Sequence, residues 1–384
     1  MKTQNEQLVG NAGQSNSSAP VFAPQSQLGR RPFIKRLGWL GLASLPGSAL
    51  LSSQGMAASD RDDSRITSGD VAVLKFLAAA EILETDLWQQ YTELALGNEA
   101  FQMALGVLDG DMPTYVNQNT RDEFSHQNFL NAYLVSKGHR PVNLESFRTL
   151  PSSQATGSNK TAKRLTNLMN LNVDTSWFLR YRLSGNPDFG DTFAQIVNLN
   201  NVAGIPNSDL PLPTDPANGY KVQFIANVAG FHFTTVEQGG SSLYTSFLTK
   251  VSSLEVLRIV ASIGGTEIMH FQTWQDKAGN APALVDGSGH EIFPQLPHAP
   301  DATPDGIDHS APNDTNQIMP APCKFIHTSL PLCSVIRPTS SKLAGAKAAL
   351  AGLAGMGLFH GQSDAFLRFM AELADEADEA RRQS

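Results

Sequence analysis

The stretch GGTEIMHFQTW, residues 264–274, places Glu267 and His270 three residues apart among the apolar side chains Ile268, Met269 and Phe271. On a helix, residues i and i+3 share a face, so this carboxylate and this imidazole point the same way. A buried carboxylate is costly unless something neutralises it, and a metal ion is one such group. A lone Glu-x-x-His says little. Its meaning depends on what the rest of the chain brings to the same place.

Working outward, apolar residues recur at helical spacing in four long segments, about 68–96, 111–137, 219–249 and 252–279. Ser68 is a candidate N-cap for the first, and Pro113 opens the second, which stops at Gly138. Ser252 and Glu255 have capping-box spacing at the start of the fourth, which ends before Gly279. The links within the first and second pairs are short. Between the pairs lie residues 139–218, with short helical pieces expected around 161–182 and 190–202. Two short hairpins joined by one long crossover is the order of a ferritin-like four-helix bundle, so the expected fold is all-α, over residues 66–280. Residues 281–384 are read as an extension on the bundle. It is Pro-, Asp- and Asn-rich to about 338, with helices expected at 340–356 and 362–381.

The second helix repeats the opening pattern, with Glu123 and His126 in RDEFSHQNF. The third carries Glu237 seven residues before Tyr244, and the first carries Glu81 seven before Trp88 and Glu84 seven before Tyr91. Two helices therefore bring Glu-x-x-His and two bring a single Glu with an aromatic residue two turns on. Two metal ions about 3.5–4 Å apart need several carboxylates to offset their charge and a nitrogen donor each, which such a set supplies. Gly239, Gly240, Gly264 and Gly265 are expected to let helices approach closely near the ligands. Without such a reason each would cost about 1 kcal/mol against alanine.

With these residues in view, the chain resembles the ferritin-like superfamily, and most of all the exported branch that includes plant desiccation-related proteins. That branch carries a first-helix motif LExLEAxFY, matched in part by AEILETDLW, and a third-helix motif ExxGxxxY, matched by EQGGSSLY with Gly240. Its fourth-helix ExxH is matched by EIMH. The resemblance covers about 68–138 and 219–279. It implies a dimetal centre of rubrerythrin and bacterioferritin type, with Glu123, His126, Glu237, Glu267 and His270 as ligands. The branch motif aligns Glu81 as the first-helix ligand, whereas the Glu-x6-Tyr pattern aligns Glu84. Both stay open, with Glu81 favoured because Glu81 and Trp88 mirror Glu237 and Tyr244. Tyr91 and Tyr244 are the candidate catalytic side chains beside the cluster.

The implied cofactor is a pair of metal ions, iron ahead of manganese, and the implied reaction is with peroxide or dioxygen. Manganese catalase is an alternative, and a non-catalytic metal-binding or stress-protective protein is another. A bundle without metal is disfavoured because unneutralised buried carboxylates would destabilise it. His232, five residues before Glu237, falls on another face and reads as a packed histidine. His290, His298, His309 and His327 lack ligand spacing.

The ends bear on where such chemistry takes place. Arg30 and Arg31, followed by Phe33, Ile34 and Lys35, resemble a twin-arginine export signal. The apolar stretch 37–51, broken by Pro46, is short for a membrane span of roughly twenty residues, and Gly55 and Ala57 suit cleavage near 57. This resemblance implies passage of an already folded protein through the twin-arginine (Tat) translocase to a periplasmic or extracellular location. Removing residues 1–57 leaves 23 basic and 35 acidic residues, a formal charge of −12 over 327 residues. Such acidity excludes nucleic acid as a partner. No later apolar run is long enough for a membrane span in the mature chain. Cys323 and Cys333 are spaced to close a short loop if oxidised. Homo-oligomer formation is left open.

Overall fold

Helix α1 (Ser68–Gly97) is capped by Thr67, one residue before the expected cap Ser68, which is its first helical residue. The Thr67 hydroxyl accepts from the Asp70 amide at 3.1 Å, and the Asp70 carboxylate accepts from the Thr67 amide at 2.9 Å, a reciprocal capping box. The same carboxylate accepts from the amides of Ser252 and Ser253, at 2.7 and 3.2 Å, and so pins a distant turn to the start of α1. The computed structural model describes residues 66–175, 199–209, 216–294 and 345–383. Residues 1–65, with the arginine pair, and Cys323, Cys333, His298, His309 and His327 lie outside the described residues.

Asn98 ends α1 and caps α2 (Glu99–Leu108), accepting from the Phe101 amide at 3.0 Å. The short link expected before the second long helix therefore contains a helix of its own. Helix α3 (Met112–Ser136) then returns along α1. Thr92 donates to the Val116 carbonyl at 3.2 Å and Thr120 to the Trp88 carbonyl at 3.0 Å, whereas Glu81 faces His126, so the two helices are antiparallel. Helices α4 (Pro216–Phe247) and α5 (Leu254–Ala278) form the second antiparallel pair, with Gly240 against Glu267 and Tyr244 against Gly264. The cap of α5 is Ser253, not Ser252, and Glu255 instead takes Tyr133 of α3 and Lys137 at its C-terminal cap. The result is the expected all-α four-helix bundle with a long crossover between its second and third members.

The described parts of the crossover are not helical as expected. Short antiparallel strands pair there, β1 (Leu150–Pro151) with β2 (Lys163–Arg164) and β3 (Leu171–Val173) with β4 (Leu199–Val202). The reason is Asp86 on α1. Its buried carboxylate accepts from the amides of Leu165 and Thr166 at 3.0 and 2.9 Å, from the Thr166 hydroxyl at 2.7 Å and from Arg148. Amides taken by a side chain on another element are not available to a local helix.

Past the bundle, β5 (Leu284–Val285) and β6 (Glu291–Phe293) make a small hairpin, with His290 exposed in its turn. Helices α6 (Ala346–Gly355) and α7 (Asp364–Glu379) follow, the latter along α1. Asp378 of α7 accepts from the amides of Ala346 and Lys347 and from Lys250 just beyond α4, joining the tail to the bundle. Among the described residues no helix is long and apolar enough to cross a membrane.

Replacing Asp86 by Ala strands two buried amides at about 1–3 kcal/mol each, so a loss of about 2–6 kcal/mol in urea unfolding is expected. Asp86→Asn keeps one acceptor and should lose less.

Candidate metal centre

Each long helix contributes a carboxylate at the same height. Glu81 comes from α1, Glu123 from α3, Glu237 from α4 and Glu267 from α5, and all four are at most 1 % exposed. His126 and His270 lie one turn beyond Glu123 and Glu267, as i+3 spacing dictates. His126 Nδ1 lies 3.0 Å from Glu123 and 3.3 Å from both Glu81 and Glu267. His270 Nδ1 lies 3.0 Å from Glu123 and 3.4 Å from Glu237.

The donor atoms fall into two groups, each within 4.8 Å: Glu81, Glu123, His126 and Glu267, then Glu123, Glu237, Glu267 and His270. Glu123 and Glu267 belong to both. Gly240 makes room for one of them, since a Cβ there would stand 2.5 Å from Glu267 Oε2. Gly264 admits Tyr244 in the same way, but Gly265 faces open space and serves no such approach.

Residues 69–279 match the family model described as the ferritin-like domain, more than half of the chain. The chain belongs to the ferritin-like domain family. No curated protein and no solved structure matches it.

The donor set of this ferritin-like protein fits metal ions. Glu267 Oε2 is buried with no partner, and Glu81 Oε2, Glu237 Oε2, Glu267 Oε1 and His270 Nδ1 are buried with only the ion-pair approaches of 3.0–3.4 Å and no well-formed hydrogen bond. Atoms of this kind in a dry interior call for another partner, and a cation serves all of them at once. With four carboxylates ionised and both imidazoles protonated, the cluster would still be two charges negative. The titration of these groups reflects that excess. Burial, then Glu123 and Glu81, push the Glu267 carboxyl well above its ordinary value. Burial and Glu237 raise Glu123 from 4.5 to about 7. Burial disfavours the His126 imidazolium, yet its bonds to Glu123, Glu267 and Glu81 hold its pKa far above the usual value.

The sequence candidates part company here. Glu81 is in the cluster and accepts a hydrogen bond from the Tyr244 hydroxyl. Glu84 is in neither group. It lines an apolar cavity with Phe76, Leu83, Val236, Leu243 and Leu353, and one of its oxygens has no partner. Tyr91 touches none of the cluster carboxylates and pairs with His232.

Three supporting residues escaped the sequence reading. Asn119 Nδ2 donates to Glu123 and to Glu237, each at 2.8 Å, and its carbonyl accepts from Trp274 Nε1 at 3.0 Å. Asp122 stands 3.1 Å from His270 Nε2 and orients that ring. An asparagine one turn before a ligand glutamate was the available signal.

A carboxyl whose folded pKa is raised stabilises the fold below its unfolded pKa and loses that contribution as pH rises through the folded value. For Glu123 the window runs from 4.5 to about 7. Metal-free protein should therefore lose melting temperature across that window more steeply than Glu123→Gln, as scanning calorimetry at several pH values would show.

Proposed function

We propose that this is an exported dimetal-carboxylate protein that reacts with peroxide or dioxygen at two iron ions. The observation that carries the reading is the sharing of Glu123 and Glu267 between two four-residue groups, each with its own histidine. Glu81 and His126 would hold one ion, Glu237 and His270 the other, with Glu123 and Glu267 between them. Two redox-active ions bound there supply electrons to a small oxidant.

The chain's own residues do the rest. Asp122 accepts from His270 Nε2–H and so leaves Nδ1 free as the donor atom. Asn119 holds Glu123 and Glu237 at fixed separation. Tyr244 keeps its proton, because burial and the charge of Glu81 raise its pKa well above the ordinary value, and its hydroxyl donates a hydrogen bond to Glu81. The bundle and the tail helices exclude water, which strengthens every electrostatic interaction inside.

Metal at a hundred times its dissociation constant stabilises the fold by about 2.7 kcal/mol per site, so loading should be visible in melting as well as in composition. Elemental mass spectrometry should find about two ions per wild-type chain, fewer in Glu81→Gln and His270→Ala, and an unchanged content in Glu84→Gln. Equal metal in all four would sink the reading. Manganese instead of iron, with peroxide dismuted in the absence of a reductant, would replace it by that of a manganese catalase.

Export is tested separately. Changing Arg30 and Arg31 to Lys should retain folded, full-length precursor in the cytoplasm, detected by fractionation and immunoblot. Normal processing of this variant would exclude the twin-arginine route.

A further inference from the structure

We propose that Tyr91 and His232 form a redox pair, connected through Trp88 and Trp274 to the carboxylate cluster, that donates one electron to an oxidant bound there. The inference rests on the reading of the cluster as an oxidant-binding centre and adds a second reactive site to it.

The Tyr91 hydroxyl lies 2.9 Å from His232 Nδ1, and both residues are buried. The Tyr91 ring is 6.0 Å from Trp88, and Trp88 stacks on Trp274 at 5.3 Å with 22° between the planes. Phe233 fills the space among them, 4.5 Å from Tyr91, 4.8 Å from Trp88 and 4.9 Å from Trp274. Trp274 then donates to Asn119, which donates to Glu123 and Glu237. From phenol to ligand carboxylate there is no gap wider than one ring-to-ring contact.

This is an expensive way to fill a core. Trp88 Nε1 and His232 Nε2 are both buried without a hydrogen-bond partner, so each gives up its bond to water with nothing in return. Apolar side chains would fill a core without that cost. Two orphaned polar groups in one aromatic cluster call for a role other than packing, and a redox role accounts for both. Gly204 in the crossover holds the pair closed, since a Cβ there would stand 2.5 Å from the Tyr91 oxygen.

The step balances as follows. Tyr91 gives up one electron through the two indoles, and its phenolic proton passes to His232 Nδ1, leaving a neutral phenoxyl radical beside an imidazolium. Burial lowers His232 to about 3, so its ring is neutral at rest and free to accept. A phenol that has lost an electron is acid enough to protonate even so weak a base. The oxidant is hydrogen peroxide, which takes two electrons and two protons to give two waters. Tyr91 supplies one electron, an iron(II) ion held by the cluster would supply the other in becoming iron(III), and the protons come from solvent.

The test uses the full chain loaded with iron(II) under argon, mixed with one equivalent of hydrogen peroxide and frozen rapidly. Electron paramagnetic resonance should show a tyrosyl radical that is absent in Tyr91→Phe, present in Tyr133→Phe, whose hydroxyl donates to Glu255 away from the cluster, and slower to form in Trp88→Phe. Mössbauer spectra of the same samples report iron content and oxidation. Bound, oxidised iron with no radical, or with the same radical in Tyr91→Phe, would overturn the proposal and leave the metal reading standing. If iron does not bind, the metal reading fails, and the pair is tested in the metal-free chain by pulse radiolysis with azide radical. There tryptophanyl absorbance should convert to tyrosyl absorbance in wild type, and Tyr91→Phe should lose that component. No difference between the two would overturn the pair itself.

Discussion

Four glutamates that repel one another are held together at the dry centre of the bundle, and most of the structure around them is arranged to make that tolerable. Moving one carboxylate out of water costs several kcal/mol even after relaxation. A domain's whole net stability is about 5–15 kcal/mol. Four such groups therefore require opposite charge within contact distance. His126 and His270 supply part of it, and the oxygens of Glu81, Glu237 and Glu267 that make no well-formed hydrogen bond mark where cations would supply the rest. Placing one ligand on each long helix lets every pairwise packing contact also define a ligand position, so the centre needs no loop of its own.

The segments outside the bundle are tied to it by a repeated device, an aspartate on a helix that accepts backbone amides from elsewhere. Asp70 takes the turn before α5, Asp86 takes the crossover, and Asp378 takes the start of α6. Each replaces amide–water bonds with charge-assisted ones, which are the stronger kind. The segments so fixed close over the helices, and with them the crossover and the tail become walls of the interior.

That interior has two different halves. One is acidic, around Glu123 and Glu267. The other is aromatic, around Trp88, Phe233, Trp274 and Tyr91. Asn119 is the joint, because its amide hydrogens reach the carboxylates and its carbonyl oxygen receives the indole of Trp274. A single side chain with both donor and acceptor capacity can serve both halves, which neither a carboxylate nor an aliphatic residue at 119 could do.

Periodicity in the sequence was enough to place four long helices, the long crossover and the two Glu-x-x-His faces, because helix geometry makes i and i+3 neighbours whatever surrounds them. Burial of Glu267 could likewise be read from Phe271 at i+4, whereas Ile268 and Met269, also apolar, turn aside and are half-buried and exposed. Tertiary structure alone decided the rest. Glu81 and Glu84 lie on one broad face of α1, and His126 from α3 and the Tyr244 hydroxyl from α4 single out Glu81. Gly264 and Gly265 are adjacent, yet only the first meets a neighbouring helix. The crossover pieces near 161–175 had helical spacing but lost their amides to Asp86, a residue some eighty positions away. Local sequence determines which face of a helix is apolar. Its rotation to within one residue, and the partners of its polar groups, are set by elements distant in the chain.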